Sequence, residues 1–178
     1  QAVVNNDTHA FNAKQQAANT AVTAANTAKA TAISTFNGYS DANKKSGKAF
    51  VRAINGAVSP INSFANNKTV DQFGKLEAAA QTAIATRDAE KGKLASGHPA
   101  HADFANAITT QDAWLAAAQE RAKAFITLDA SKKALAQKKK DQAAVSDKAG
   151  TGSKRLENFV AVVTKNKIPP LTEYAKKN

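Results

Sequence analysis

From Asp7 to Phe36 the chain runs thirty residues without a glycine or a proline, and Phe11, Ala18, Ala25 and Ala32 recur at intervals of seven. Seven residues are two turns of α-helix, so these positions share one face, with Val22 and Phe36 on the adjoining track. Three of the four are alanine. This constrains the fold more than any other feature, because a helix with a methyl stripe buries it only where neighbouring helices come close. At 1.5 Å per residue the stretch makes a rod of about 45 Å. Asn37-Gly38 follows, residue types that end helices.

Alanine supplies 41 of the 76 residues usually counted as hydrophobic, whereas Leu, Ile, Val and Phe together number 32 of 178. So small a share of large apolar residues, with a net charge of +11, falls in the range of disordered chains. Alanine pulls the other way, as the best helix former and one that loses no side-chain entropy. The placement of the large residues decides between the two. They fall on helical stripes, which predicts an all-α, Ala-rich antiparallel bundle of about five helices, in one domain over residues 1–178 with a short flexible tail at 169–178.

The second helix is expected after Ser40-Asp41, with Phe50, Ile54, Ala57, Ile61 and Phe64 spaced 4, 3, 4 and 3. Asn55-Gly56 and Pro60 interrupt that pattern and predict a kink or a split. Thr69-Val70-Asp71-Gln72 has the spacing of a capping box and opens a third helix through Phe73, Leu76, Ala80, Ile84 and Leu94. Ser96-Gly97-His98-Pro99 stops it. No glycine or proline then occurs from Ala100 to Ala149, where Phe104, Ile108, Gln111, Leu115, Ala118, Ala122 and Phe125 make a coiled-coil-like seam. A break is expected at Thr127 to Ser131, followed by a thinly apolar helix anchored by Leu135 and Val145. Gly150-Thr151-Gly152-Ser153 reads as a turn into a last helix bearing Leu156, Phe159, Val160 and Val163, ended by Ile168-Pro169-Pro170. Aromatic anchors at Phe50, Phe104 and Phe159 stand 54 and 55 residues apart, which also fits three tandem helical hairpins.

Several chemistries are excluded at once. Without cysteine there are no disulfides, thiolate metal sites or cysteine nucleophiles. No Ser sits in a Gly-x-Ser-x-Gly elbow, no Glu-x-x-His pair supplies a di-iron site, and no glycine-rich loop cradles phosphate. Asp88 and Glu90 are two apart and point to different sides of a helix. An enzyme is therefore not expected, and no cofactor is implied. The chain starts at Gln1 rather than Met, which is expected of a processed secretory product, extracellular or periplasmic, whose signal peptide has been removed.

The charge is uneven. Residues 1–68 sum to +5, residues 69–127 to −1 and residues 128–178 to +7. Lys138-Lys139-Lys140, with Lys132, Lys133, Lys148, Lys154 and Arg155, forms the densest basic cluster and a candidate for a polyanion such as a surface glycan, a nucleic acid or an acidic surface. Only 4 of the 25 basic residues are arginine and no aromatic is interleaved, which argues against specific nucleic-acid reading. A solvated lysine face competes with that reading. His98, His101 and Asp103 are a weak metal candidate, opposed by the commoner role of polar loop residues. Trp114, Phe104 and Phe125 are candidates to line a ligand cavity, or equally plain core anchors. Asn6-Asp7-Thr8 and Asn67-Lys68-Thr69 match the N-glycosylation pattern, although Asp7, Thr8 and Thr69 also suit helix entrances.

These features lead to the expectation of a secreted or cell-surface binding or assembly protein acting through protein partners or self-association. Carriage of a lipid or other apolar ligand, and polyanion binding through the C-terminal third, are the alternatives.

Overall fold

The computed structural model describes residues 1–165, apart from the side chains of Val163 and Thr164. The expected terminator at Ile168-Pro169-Pro170 and the tail 169–178 lie outside the described residues. All regular structure among them is helical: α1 (Ala2–Asn37), α2 (Asp41–Ala65), a 3-10 turn (Val70–Gln72), α3 (Phe73–Gly92), the single turn α4 (Ala100–Asp103) and α5 (Ala105–Lys165). Chain contacts divide it into two compact units, Gln1–Lys132 and Lys133–Asn178.

In the first unit four helices run alternately up and down. Phe36, at the end of α1, shares an apolar cluster with Phe50 and Ile54 of early α2 and with Phe104 and Ala107. Ala25 of α1 shares a second cluster with Ala57, Ile61 and Phe64 of later α2, Phe73 and Ala80 of α3, and Trp114, Ala118 and Ala122 of α5. Hydrogen bonds fix the direction of α5. Arg121 meets Gln15 and Ser131 meets Asp7, so α5 runs opposite to α1. Gln119 meets Glu77 and Arg87 meets Asp112, so it also runs opposite to α3.

The alanine stripe of α1 behaves as its spacing predicts. Ala18, Ala25 and Ala32 are buried, joined by Ala28 and Phe36. The bundle is held to a close approach there, since none of these alanines projects beyond a methyl group.

The count of about five helices is corrected to four long ones, of 36, 25, 20 and 61 residues, plus the one-turn α4. The difference lies in α5, which is helical through both expected interruptions. At the first, Thr127 donates to the Lys123 carbonyl and Leu128 is buried, so the helix is held from within and by packing. At the second, Thr151 donates to the Asp147 carbonyl. Gly150 and Gly152 cost only about 1 kcal/mol each relative to alanine, too little to break a helix already propagating. The three-hairpin reading goes with the turn, because Phe159 lies on the helix that follows Phe104 and is solvent-exposed.

Helix α2 likewise continues across Asn55-Gly56 and Pro60 as one element. Proline costs about 3 kcal/mol inside a helix. Burial of Ala57, Ile61 and Phe64 around it outweighs that, at roughly 1.5–3 kcal/mol for each large side chain. Thr69 makes no side-chain cap, so the expected capping box is absent. Asn67 replaces it: its Nδ2 donates to the Thr69 carbonyl at 2.7 Å and its Oδ1 accepts from the Thr69 N–H at 3.1 Å.

In the second unit the described chain is α5 itself from Lys133 onward, with every residue from 136 to 162 exposed. No helix among the described residues is long and apolar enough to cross a membrane.

Candidate functional site

Three polar arrangements interrupt the apolar interior of the first unit. The central one separates the two core clusters. Gln111 is fully buried between Ala107 and Trp114, and its Nε2 donates to the Ile54 carbonyl at 2.8 Å. Its Oε1 accepts from Arg87 Nη1 at 3.3 Å. Arg87, only 1% exposed, donates through Nε to Asp88 at 2.9 Å and through Nη2 to Asp112 at 2.8 Å. A buried cation is tolerated where carboxylates and hydrogen bonds replace its water, and both are present here. This layer ties α2, α3 and α5 into one register.

At one end, His98 closes the turn that leads into α4. Its Nδ1 accepts from the Ala100 N–H at 3.1 Å, which places the ring proton on Nε2, 3.1 Å from both the Asn43 carbonyl and Ser46 Oγ. Gly47 is required beneath it, since a Cβ there would stand 2.8 Å from Phe36 and 3.1 Å from the His98 ring. Tyr39 donates to Asp103 Oδ2 at 2.5 Å, and burial followed by the Asp103 carboxylate raises its pKa above the ordinary value. His101 Nε2 lies 3.1 Å from the Ala95 carbonyl. The metal candidates His98, His101 and Asp103 are thus each committed to a different neighbour. No group of three His, Cys, Asp or Glu that could hold a metal occurs among the described residues.

At the other end lies an open pocket of about 470 Å³, lined by Phe11, Gln15, Asn19, Asn66, Lys68, Arg121 and Phe125. Helix α1 contributes Phe11, Gln15 and Asn19 at steps of four, and α5 contributes Arg121 and Phe125 at the same step, so each set lines one face. Arg121 is 1% exposed. Its Nε donates to Gln15 Oε1 and its Nη1 to the Asn67 carbonyl, both at 2.6 Å. The guanidinium carbon stands 5.3 Å from the Phe11 ring centre and 5.7 Å from that of Phe125. Burial lowers the Arg121 pKa from its ordinary value. Asn67, whose amide and carbonyl are both engaged, is a poorly placed acceptor for a glycan, whereas Asn6 is exposed.

The ligand-lining candidates are dispersed by the fold. Trp114 is 1% exposed in one core cluster and Phe104 is buried in the other. Phe125 lines the pocket that holds Arg121. The basic candidates Lys132, Lys133, Lys138, Lys139, Lys140, Lys154 and Arg155 are all exposed on α5. At about 100° per residue, Lys132, Lys139, Lys140 and Lys154 fall within about a third of the helix circumference, with Lys133 and Arg155 beside them and Lys138 on the opposite side. That opposite side carries Leu135, Val145, Leu156, Phe159 and Val160, within about 120°. Val145, Leu156 and Phe159 are each about two-thirds exposed, at 67%, 65% and 66%.

The sequence reading missed Arg87, Arg121 and Gln15. The available signal was positional: Arg121 falls within the seam that contains Ala118, Ala122 and Phe125, where a charged residue needs a reason.

No protein family, curated protein or solved structure significantly matches the chain. Among the described residues the fold is that of a cysteine-free, all-α helical bundle.

Proposed function

We propose that the protein is a non-enzymatic binding and assembly module. The observation that carries the reading is the exposed apolar side of α5 in the second unit. Burying a large apolar side chain contributes about 1.5–3 kcal/mol, so Val145, Leu156 and Phe159 together represent several kcal/mol of unused contact energy. Their spacing, with Leu135, suits a helix laid alongside. Residues 132–165 carry nine basic and three acidic side chains, a net +6, which selects a partner helix whose apolar stripe is flanked by acidic residues. A second copy of the same segment would meet like charge, so self-association is the weaker form of this reading and should strengthen with salt.

The test is sedimentation and partner capture with Leu156→Glu/Phe159→Glu beside the unaltered chain. The charged variant should keep its helical circular dichroism and lose its partner or its assembly. Identical behaviour of the two proteins in both measurements would remove the apolar side of α5 from consideration.

The exposure of the lysine cluster favours a second reading, non-specific polyanion binding. Heparin retention should fall when Lys138, Lys139 and Lys140 become Gln, and should shrink steeply with salt.

A further inference from the structure

The two buried arginines of the bundle differ in one respect. Arg87 is neutralised by Asp88 and Asp112, each 2.8 Å from its Nη2. Arg121, equally buried, meets only neutral acceptors among the described residues, Gln15 Oε1 and the Asn67 carbonyl. A guanidinium has five N–H groups, and these two bonds use two of them. Among the described residues no sealed side-chain nitrogen or oxygen lacks a partner, and Arg121 Nη2 takes no hydrogen bond there, so Nη2 touches accessible volume. That volume is the pocket of about 470 Å³, within the range of small-ligand sites.

The rest of the lining points the same way. None of the seven lining residues is acidic, and Lys68 adds a second cation, with no ion pair among the described residues. Gln15 Nε2 donates to Asn19 Oδ1 at 3.0 Å, which holds the Gln15 carbonyl on the Arg121 Nε–H. Phe11 and Phe125 pack edge-to-face on each other with ring centres 5.6 Å apart, and both lie beside the cation. A buried cation without a counter-ion is costly, and the cost is offset when an anion arrives to accept a charge-assisted hydrogen bond.

We propose that this pocket binds a small organic oxyanion, a carboxylate or phosphate ester whose head group meets Arg121 Nη2 near Lys68 and whose apolar body rests on Phe11 and Phe125. The site is distinct from the α5 surface proposed above.

The experiment is a nitrogen-15 NMR titration of the full chain with phenylacetate, phenyl phosphate and inorganic phosphate, with sodium chloride at matched ionic strength as control. The Arg121 Nε–H signal is one of only four arginine signals. Phenylacetate or phenyl phosphate should shift it at roughly millimolar concentration, as befits a small ligand. The preferred head group shows whether carboxylate or phosphate is the natural source. Inorganic phosphate should bind more weakly than phenyl phosphate if the rings contribute. Lys68→Gln, at an exposed position, should weaken binding about three- to tenfold without altering the fold, so the test does not depend on an Arg121 variant remaining folded. Equal shifts with chloride, or unchanged affinity in Lys68→Gln, would overturn the proposal.

Discussion

Replacing Arg87 by Met tests whether the polar layer between the two core clusters holds the bundle in register. Met keeps the length and most of the apolar stem, so the change removes chiefly the charge and its hydrogen bonds. Two carboxylates are contacted, Asp88 at 2.9 Å and 2.8 Å and Asp112 at 2.8 Å, but both are about half exposed and regain water when released. Each is therefore discounted to about 1 kcal/mol or less. The longer bonds, 3.3 Å to Gln111 and 3.4 Å to the Ile108 carbonyl, are individually weak. Gln111 is fully buried, however, and its orphaned Oε1 costs about 1–3 kcal/mol. Allowing for the apolar gain of Met, the expected loss is about 2–3 kcal/mol. At roughly 3 °C per kcal/mol for a unit of this size, Tm should fall by about 6–9 °C.

The companion variant Gln111→Leu removes the buried acceptor. In the double variant no orphaned Gln oxygen remains, so the two losses should be less than additive by about 1 kcal/mol. Urea unfolding followed by fluorescence reports on the correct region, because Trp114 is the sole tryptophan and lies 1% exposed one turn beyond Gln111. A loss under 0.5 kcal/mol for Arg87→Met, or strict additivity in the double variant, would refute the reasoning.

Gly47→Ala should destabilise by about 1–3 kcal/mol through overpacking, because its Cβ would meet Phe36 at 2.8 Å; Gly74→Ala, with open space around it, should raise stability by about 0.5–1 kcal/mol. Thermal melts of the pair would show opposite signs. Gly150→Ala/Gly152→Ala should increase helical circular dichroism and stabilise α5 by about 1 kcal/mol per site, and a loss of helicity would restore a turn at that place. The raised pKa of Tyr39 sets an alkaline dependence. Its contribution is fully present below the unfolded-state value of about 10 and is lost as pH rises from there toward the folded-state value. Tyr39→Phe should flatten that alkaline loss in denaturant titrations, and an unchanged profile would assign it elsewhere.

The helical content and much of the buried stripe were legible in the sequence because both depend on short-range spacing. Ala18, Ala25 and Ala32, and Phe50, Ile54, Ala57, Ile61 and Phe64, were found from period alone and are buried. On α5 the expected seam at Ile108 and Leu115 is displaced by one residue, with Ala107 and Trp114 innermost and the other two half-buried. A shift of one residue turns the helix face by about 100°, a choice made by the neighbours rather than by the helix.

Helix boundaries were read less well. Pro60, Gly150 and Gly152 each carry a local penalty of about 1–3 kcal/mol. The sequence predicts a turn at the two glycines and a kink or a split at Pro60, whereas α5 runs on through the glycines and α2 is one element across Pro60. The Arg121 pocket was invisible for another reason. It joins residue 15 to residue 121, and no local pattern links positions that far apart.

The sequence by itself determined an all-α, cysteine-free chain with alanine-faced helices and basic ends, because composition and a seven-residue period are properties of the chain alone. Only the tertiary structure decided which cations are neutralised. Charge counted along the sequence treats Arg87 and Arg121 alike, but pairing depends on distance. Packing brings Asp112 to Arg87 and, among the described residues, brings only neutral oxygens to Arg121.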